Sequence, residues 1–345
     1  MVSLRRPLRN KNLLFMMRIE VFFLQKQFKT LDEQILLLQE RGLTIPNVEK
    51  AKRYLLTNNY YNIINGYGKY FQDTTDHYIT GASFNEISNL YFLEEEIKKS
   101  VFNAALQIEH HLKSITAYHF AEQYSDQTYA FLNPSSYNQQ KLSDACRTIN
   151  KFSNILKINI TDHTSPIYHY VSEYHDIPIW VIIDHLDFGG LYHFIRELPD
   201  AILNKIAADL TPFFSENNNG TNPGQTFTPA IMLNFMKNIL EIRNVCAHNK
   251  RIIEFACHAD AKYFSYLHDQ YSIQVNDTRK DFYNTFIIMQ CFLSKTEFGI
   301  LNNTLKKRFK NLSNKLNTIT INDIFQKMGF PPRLAVKSPT STINR

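Results

Sequence analysis

The sequence predicts an all-α fold: a multi-helix bundle with a helical hairpin in front of it and further helices behind. Three observations carry this. Apolar residues recur every three to four positions through most of the chain, the period of a half-buried helix. Serine or threonine followed three residues later by glutamate, a helix-start pattern, stands ahead of two of those stripes. Strand-type alternation is almost absent, and the 10 glycines of the 345 residues form no glycine-rich phosphate loop of the kind α/β nucleotide folds use.

In chain order, Thr30 to Glu33 is a capping box opening a helix that stops at Gly42. Pro46 starts a second helix through Val48, Ala51, Tyr54 and Leu55. The aromatic-rich stretch 58–71 has two readings, helix packing or an RNA-stacking surface, and its helical spacing favours packing. Residues 73–82 read as a loop. Ser83 to Glu86 is another capping box, and the helix it opens runs to about Tyr124, with an apolar stripe from Leu90 through Ile97, Val101, Ile108 and Leu112 to Ile115. Glu94, Glu95 and Glu96 ahead of Lys98 and Lys99 read as a solvated face. Glu109, His110 and His111 are adjacent, so the two rings point apart and are expected at the surface rather than on a shared metal.

A further helix is expected over 139–157, followed by a loop from Asp162 to Pro166. Trp180, the only tryptophan, reads as a core anchor, and Gly189 and Gly190 as a tight passage between helices, with a helix continuing to Leu198. Ser215 to Gln225 is a polar, Asn/Gly-rich loop. Helical patterns follow around 258–268, 279–293 and 297–311, and Asn322 to Gly329 makes a short terminal helix. The organisation expected is one domain over 26–330, with a helical subregion at 26–80 and a core at 83–295. Residues 1–25 and the proline-containing tail 331–345 are extensions.

A hydrophobic content of 44% and a charged content of 20% are ordinary for a globular protein. A net charge of +6 and the 19 Tyr and 26 Phe are compatible with nucleic acid as a partner without demanding it. The four cysteines include no Cys-x-x-Cys pair and read as reduced thiols of a cytoplasmic protein, not as a zinc site. Basic residues near the start, followed by Leu13 to Met17, resemble a signal peptide briefly. Arg18 and Glu20 break the apolar run, which is too short to span a membrane. No cofactor, metal or membrane partner is expected.

The chemistry concentrates in one segment. Thr228 and Pro229 begin a helix of about five turns, with Ile231, Phe235, Ile239, Ile242 and Cys246 on its apolar face. Near its end stand Arg243, Asn244 and His248. Asn244 and His248 share a face, while Arg243 lies about 140° from His248 and reaches the same spot only through its long stem. An imidazole beside a guanidinium suits phosphoryl chemistry: one moves protons, and the other is a fixed cation whose fork matches phosphate oxygens.

Arg243-Asn-Val-Cys-Ala-His248 resembles the Arg-Asn-x-x-x-His signature of the HEPN superfamily of ribonucleases. Residues 30–42, 55–61, 108–112, 178–180, 186–189, 242–251 and 328–331 in that order resemble the abortive-infection (AbiD/AbiF-like) proteins of bacterial anti-phage defence, a HEPN-related group. The resemblance implies an all-α fold and a metal-independent endoribonuclease acting across a homodimer. In it, His248 is the general acid/base, Arg243 holds the phosphate and Asn244 orients the pair, with Asn249, Lys250 and Arg251 contacting RNA. Glu109 matches a recurring acidic position of the group.

Two functions follow from this. One is an RNA-cleaving, toxin-like effector that arrests a phage-infected cell. The other is a non-catalytic RNA-binding protein that holds a small structured, non-coding RNA or a protein partner. A third reading makes the motif purely structural, with the His248 ring capping carbonyls at the helix end.

Overall fold

The computed structural model describes residues 27–74, 76–218 and 227–331. The expected extension 1–25, most of the 215–225 loop and nearly all of the tail lie outside them. Contacts divide the chain into two units, Met1–Ser88 and Asn89–Arg345.

The first unit opens with helices α1 (Leu31–Glu40) and α2 (Val48–Asn58), which pack as a hairpin through Ile35, Leu38, Ala51 and Leu55. The Thr30 capping box forms in full, with Thr30 Oγ1 accepting from the Glu33 amide and Glu33 accepting from the Thr30 amide at 2.7 Å. Gly42, at φ 88°, ends α1 in a Schellman turn, because the Gly42 and Leu43 amides donate back to Gln39 and Leu38. The cap of α2 is Asn47 rather than Pro46, since the Asn47 carboxamide accepts from the Lys50 amide at 2.8 Å. In the aromatic stretch Tyr67, Tyr70 and Phe71 are buried, as the packing reading expects, while Tyr61 is exposed. Residues 73–82 are not only loop: strands β1 (Gln72–Thr74) and β2 (His77–Tyr78) form a small antiparallel hairpin.

Helix α3 (Phe84–Gln123) begins in the last residues of the first unit, after the Ser83–Glu86 capping box, and gives most of its length to the second. Its apolar stripe is buried from Leu90 to Leu112. Next come α4 (Leu142–Asn159), α5 (Pro166–Tyr174), the short α6 (Ile179–Ile182), α7 (Phe188–Arg196), α8 (Asp200–Asn217) and α9 (Pro229–Ala247). The chain closes with α10 (Ser265–His268), α11 (Phe282–Ile288), α12 (Lys295–Ser313) and α13 (Ile321–Lys327). The fold is all-α, with the two-stranded hairpin its only sheet among the described residues. α9 packs against α7, α8 and α11, and two aromatic clusters fill the second unit: Phe120, Phe131, Phe152 and Phe194 in one, Phe214, Phe227, Phe235 and Phe264 in the other.

Several expectations are corrected. Trp180 is 56% exposed, because the short turn of α6 buries its neighbours Ile179 and Ile182 and leaves the indole outside. The loop expected from Asp162 to Pro166 ends at Ser165, which caps helix α5 with Pro166 at the first helical position; the sequence pattern predicts no element over 167–174. α8 runs on through Ser215, Glu216 and Asn217, and 258–264 is not helical. The glycine pair is no passage between helices; it forms the first turn of α7, where the Gly190 amide donates to the Asp187 carboxylate at 2.7 Å. His110 is exposed as expected, but His111 is only half exposed, its ring bonded to the Phe292 carbonyl at 2.9 Å and 3.3 Å from Glu297. Glu94 and Lys98 are buried, at 1% and 4% exposure, which overturns the solvated-face reading.

Candidate active site

The site helix forms where cap chemistry places it. The Thr228 hydroxyl accepts from the Ile231 amide, and Pro229 takes the first helical position, where no amide is needed. Met232, Phe235, Met236, Ile239 and Ile242 bury the inner face. The other end is a second Schellman turn. The Asn249 amide donates to the Cys246 carbonyl at 3.2 Å and the Lys250 amide to the Val245 carbonyl at 2.9 Å, with Asn249 in the left-handed region at φ 51°. Asparagine tolerates that conformation better than other residues with a Cβ.

This turn places His248 at the helix C-cap, exposed to solvent. Its backbone amide donates to the Asn244 carbonyl at 3.0 Å. Its ring has no hydrogen-bond, ion-pair or ring partner among the described residues, so it does not cap the terminal carbonyls. Arg243 is half-buried, with its guanidinium carbon 5.4 Å from the centre of the Phe102 ring, within cation–π range. Nη1 donates to the Asn244 carboxamide at 3.3 Å, and Nε is buried without a partner. Most of the donors of this guanidinium therefore have no acceptor among the described residues. Arg243 also acts electrostatically on Asp187.

One face of α3 supports the helix end. Glu94, Lys98 and Phe102 stand at i, i+4 and i+8, so they line up on one side of the helix. Phe102 lies under Arg243, Lys98 donates to the Asn249 carboxamide and, at 2.5 Å, to Glu95, and Glu94 Oε1 accepts the Ile252 and Ile253 amides at 2.6 and 2.7 Å. The segment after His248 is thereby tied back onto α3. Burial pushes the Glu94 carboxyl up to about 7, against the two amides and Lys98, which favour its charge. Cys246, inside the motif, is raised to about 12 by burial, which takes its thiol out of nucleophilic chemistry.

A family model described as Abi-like protein matches residues 53–254. The chain belongs to the Abi-like protein family. That membership carries a family-level role in abortive infection, and the matched segment contains both the α3 face and the Arg243–His248 helix end. No curated protein and no solved structure matches the chain.

The remaining candidates of this Abi-like chain divide. Arg243, Asn244 and Asn249 belong to one packed group with the α3 face. The Lys250 side chain is exposed with no partner among the described residues, and Arg251 is exposed. Glu109 is buried and its Oε1 pairs with Lys113 at 2.9 Å, while Lys113 also reaches the Asp184 carbonyl at 3.1 Å; Oε2 is buried without a partner. Glu94, Lys98 and Phe102 were missed in the sequence. Their four-residue spacing was the available signal, and it is shared by any solvated helix with charge pairs. Among the described residues no group of His, Cys, Asp or Glu could hold a metal ion, and no helix is long and apolar enough to cross a membrane.

Proposed function

We propose that this Abi-like protein is an abortive-infection effector of the HEPN type that cuts RNA through Arg243 and His248, completed by the same pair from a second copy. A half-buried guanidinium, braced on Phe102 with donors to spare, stands on the same helix end as a solvent-facing imidazole with no partner. This observation carries the reading. Arg243 holds the scissile phosphate and stabilises the charge that builds on it in the transition state. One His248 takes the proton of the ribose 2′-hydroxyl as its oxygen attacks the adjacent phosphorus. The His248 of the other copy gives a proton to the departing 5′-oxygen. The products are a cyclic phosphate end and a free 5′-hydroxyl, and the balance needs no metal. Asn244 fixes the guanidinium through its carboxamide, and Asn249, Lys250 and Arg251 border the strand.

The test is cleavage of an RNA pool by the purified protein in the presence of a chelator. Wild type is expected to leave cyclic phosphate ends, and Arg243→Ala and His248→Ala each to lose the activity while keeping the fold. Equal cutting by either variant overturns the reading. One observation favours a second reading, a non-catalytic RNA-binding protein: catalytic imidazoles are commonly oriented by a third group, and this ring has none within its protomer. A discrete, intact RNA that copurifies with salt-sensitive affinity, with no cutting by wild type, would establish that one.

A further inference from the structure

Outside the Arg243–His248 end, the second unit holds a cavity of about 350 Å³ between α4 and α7, lined by Asp144, Arg147, Lys151, Asp187, His193 and Arg196. Its carboxylates are already engaged. Asp144 and Glu197 both take Arg196, at 2.9 and 3.4 Å, Glu197 also accepts from Thr148 at 2.5 Å, and Asp187 takes Lys151 at 2.6 Å. Burial raises Glu197, which lessens its share of negative charge at a given pH. Two donors are left over. Arg147 is exposed with no partner among the described residues, and the exposed His193 ring has no hydrogen bond there, only an edge contact with Tyr192. The His193 ring is held below its ordinary range first by burial, then by Arg196, Lys151 and Arg147, against Asp144, so the field at this ring favours an anion. The wall is shaped to admit the lysine: a Cβ on Gly190 would lie 2.5 Å from Lys151 Nζ and 2.9 Å from Asp187 Oδ1.

The cavity and the proposed site lie on neighbouring elements, because α7, which Asp187 caps and whose residues line the cavity, packs against α9, which carries Arg243. Against burial, the Asp187 carboxyl is lowered by Lys151, by the Gly190 amide and, after them, by Arg243. We infer that the α4–α7 cavity is a phosphate subsite for the RNA strand, in which Arg147 and His193 hold a backbone phosphate flanking the one at Arg243. This rests on the RNA reading above but not on cleavage. Arg147 supplies a fork matched to two phosphate oxygens and His193 a single ring N–H, while Lys151 stays paired with Asp187 and Arg196 with Asp144 and Glu197. The ligand chemistry is a phosphodiester; a free nucleotide offers similar oxygens without a strand.

The experiment measures binding of a labelled single-stranded RNA 20-mer by fluorescence anisotropy across a salt series. It uses the full chain carrying His248→Ala, so that the RNA stays intact. Adding Arg147→Ala and His193→Ala together is expected to weaken binding roughly tenfold. It should also lower the slope of log affinity against log salt by about 0.7 for the arginine. Both side chains are exposed, so a thermal melt matching the parent confirms that the fold is kept. Unchanged affinity and slope overturn the inference. So does a double variant that loses only a thermal shift produced by adenosine monophosphate while its RNA affinity stays the same, since the cavity then takes free nucleotides. A wild type that binds through Arg147 but never cuts ends the nuclease reading and leaves this subsite standing. A double variant without the His248 change that cuts with unaltered KM ends the subsite and leaves the nuclease.

Discussion

Replacing Glu94 by glutamine separates the charge of this buried side chain from its hydrogen bonds. Glu94 is 1% exposed, and one oxygen accepts both the Ile252 and Ile253 amides. Glutamine keeps a carbonyl oxygen in that place and removes the ionisation. The folded carboxyl titrates at about 7 against 4.5 for the free group, so the fold disfavours its charged form. The stability associated with the neutral carboxyl is fully present below about pH 4.5 and is lost as pH rises through 7. At about 1.36 kcal/mol per pH unit, the span from 4.5 to about 7 corresponds to about 3 kcal/mol. That is an upper figure, because Lys98 loses a favourable neighbour in the variant. Urea unfolding of wild type and Glu94→Gln should be followed from pH 5 to pH 8. Glu94→Gln is expected to gain on wild type as pH rises, by 1 to about 3 kcal/mol at pH 8, and to keep its RNA activity. Glu94→Ala, which leaves two buried amides without acceptors, is expected to lose about 2 kcal/mol or more at every pH and to release the segment behind His248. Parallel pH profiles for wild type and Glu94→Gln would refute the argument.

Three further outcomes follow from the same geometry. Asn249→Gly and Asn249→Ala both lose the Lys98 bond, so their difference isolates the left-handed backbone, and alanine should be less stable by about 1 kcal/mol in urea unfolding. Arg243→Lys keeps the charge but loses the planar fork and its seat on Phe102, and RNA cleavage should fall by about two orders of magnitude with an unchanged melting temperature. Trp180→Ala should cost under about 1 kcal/mol rather than the several kcal/mol of a buried aromatic, and iodide should quench the single tryptophan in wild type; a protected indole would contradict its exposure.

Local chemistry was legible in the sequence. The start of α9 is fixed by Thr228 and Pro229, and those of α1 and α3 by capping boxes at Thr30 and Ser83, because a cap is made by residues three apart. The family-level reading was legible too, since it rests on short motifs in order. Long-range burial was not. Glu94 and Lys98 carry the pattern of a solvated helix face, and what buries them lies 158 and 151 residues further on. Trp180 misleads for the opposite reason: a lone large aromatic reads as core, yet on a one-turn helix the buried side is taken by Ile179 and Ile182. Helix α5 was hidden because its apolar face is short, with Ile167 its only buried residue.

The α3 face accounts for how a solvent-facing imidazole is positioned with no partner of its own. Successive rungs of Glu94, Lys98 and Phe102 lie about 6 Å apart along the helix axis. They meet the site segment in reverse order, at 252–253, at Asn249 and at Arg243. His248 sits between the upper two rungs, on a backbone held before it by the last turn of α9 and after it by a left-handed residue bonded to a buried lysine. Its Cα and Cβ are fixed by these neighbours, and only two side-chain torsions remain free. In the proposed chemistry a ring left with two rotors turns towards the strand, while the Arg243 guanidinium is half-buried against Phe102. The division of labour in the proposed chemistry is thus built into the packing: the charge that must stay still is the one against an aromatic ring, and the group that must move protons is the one left open to solvent.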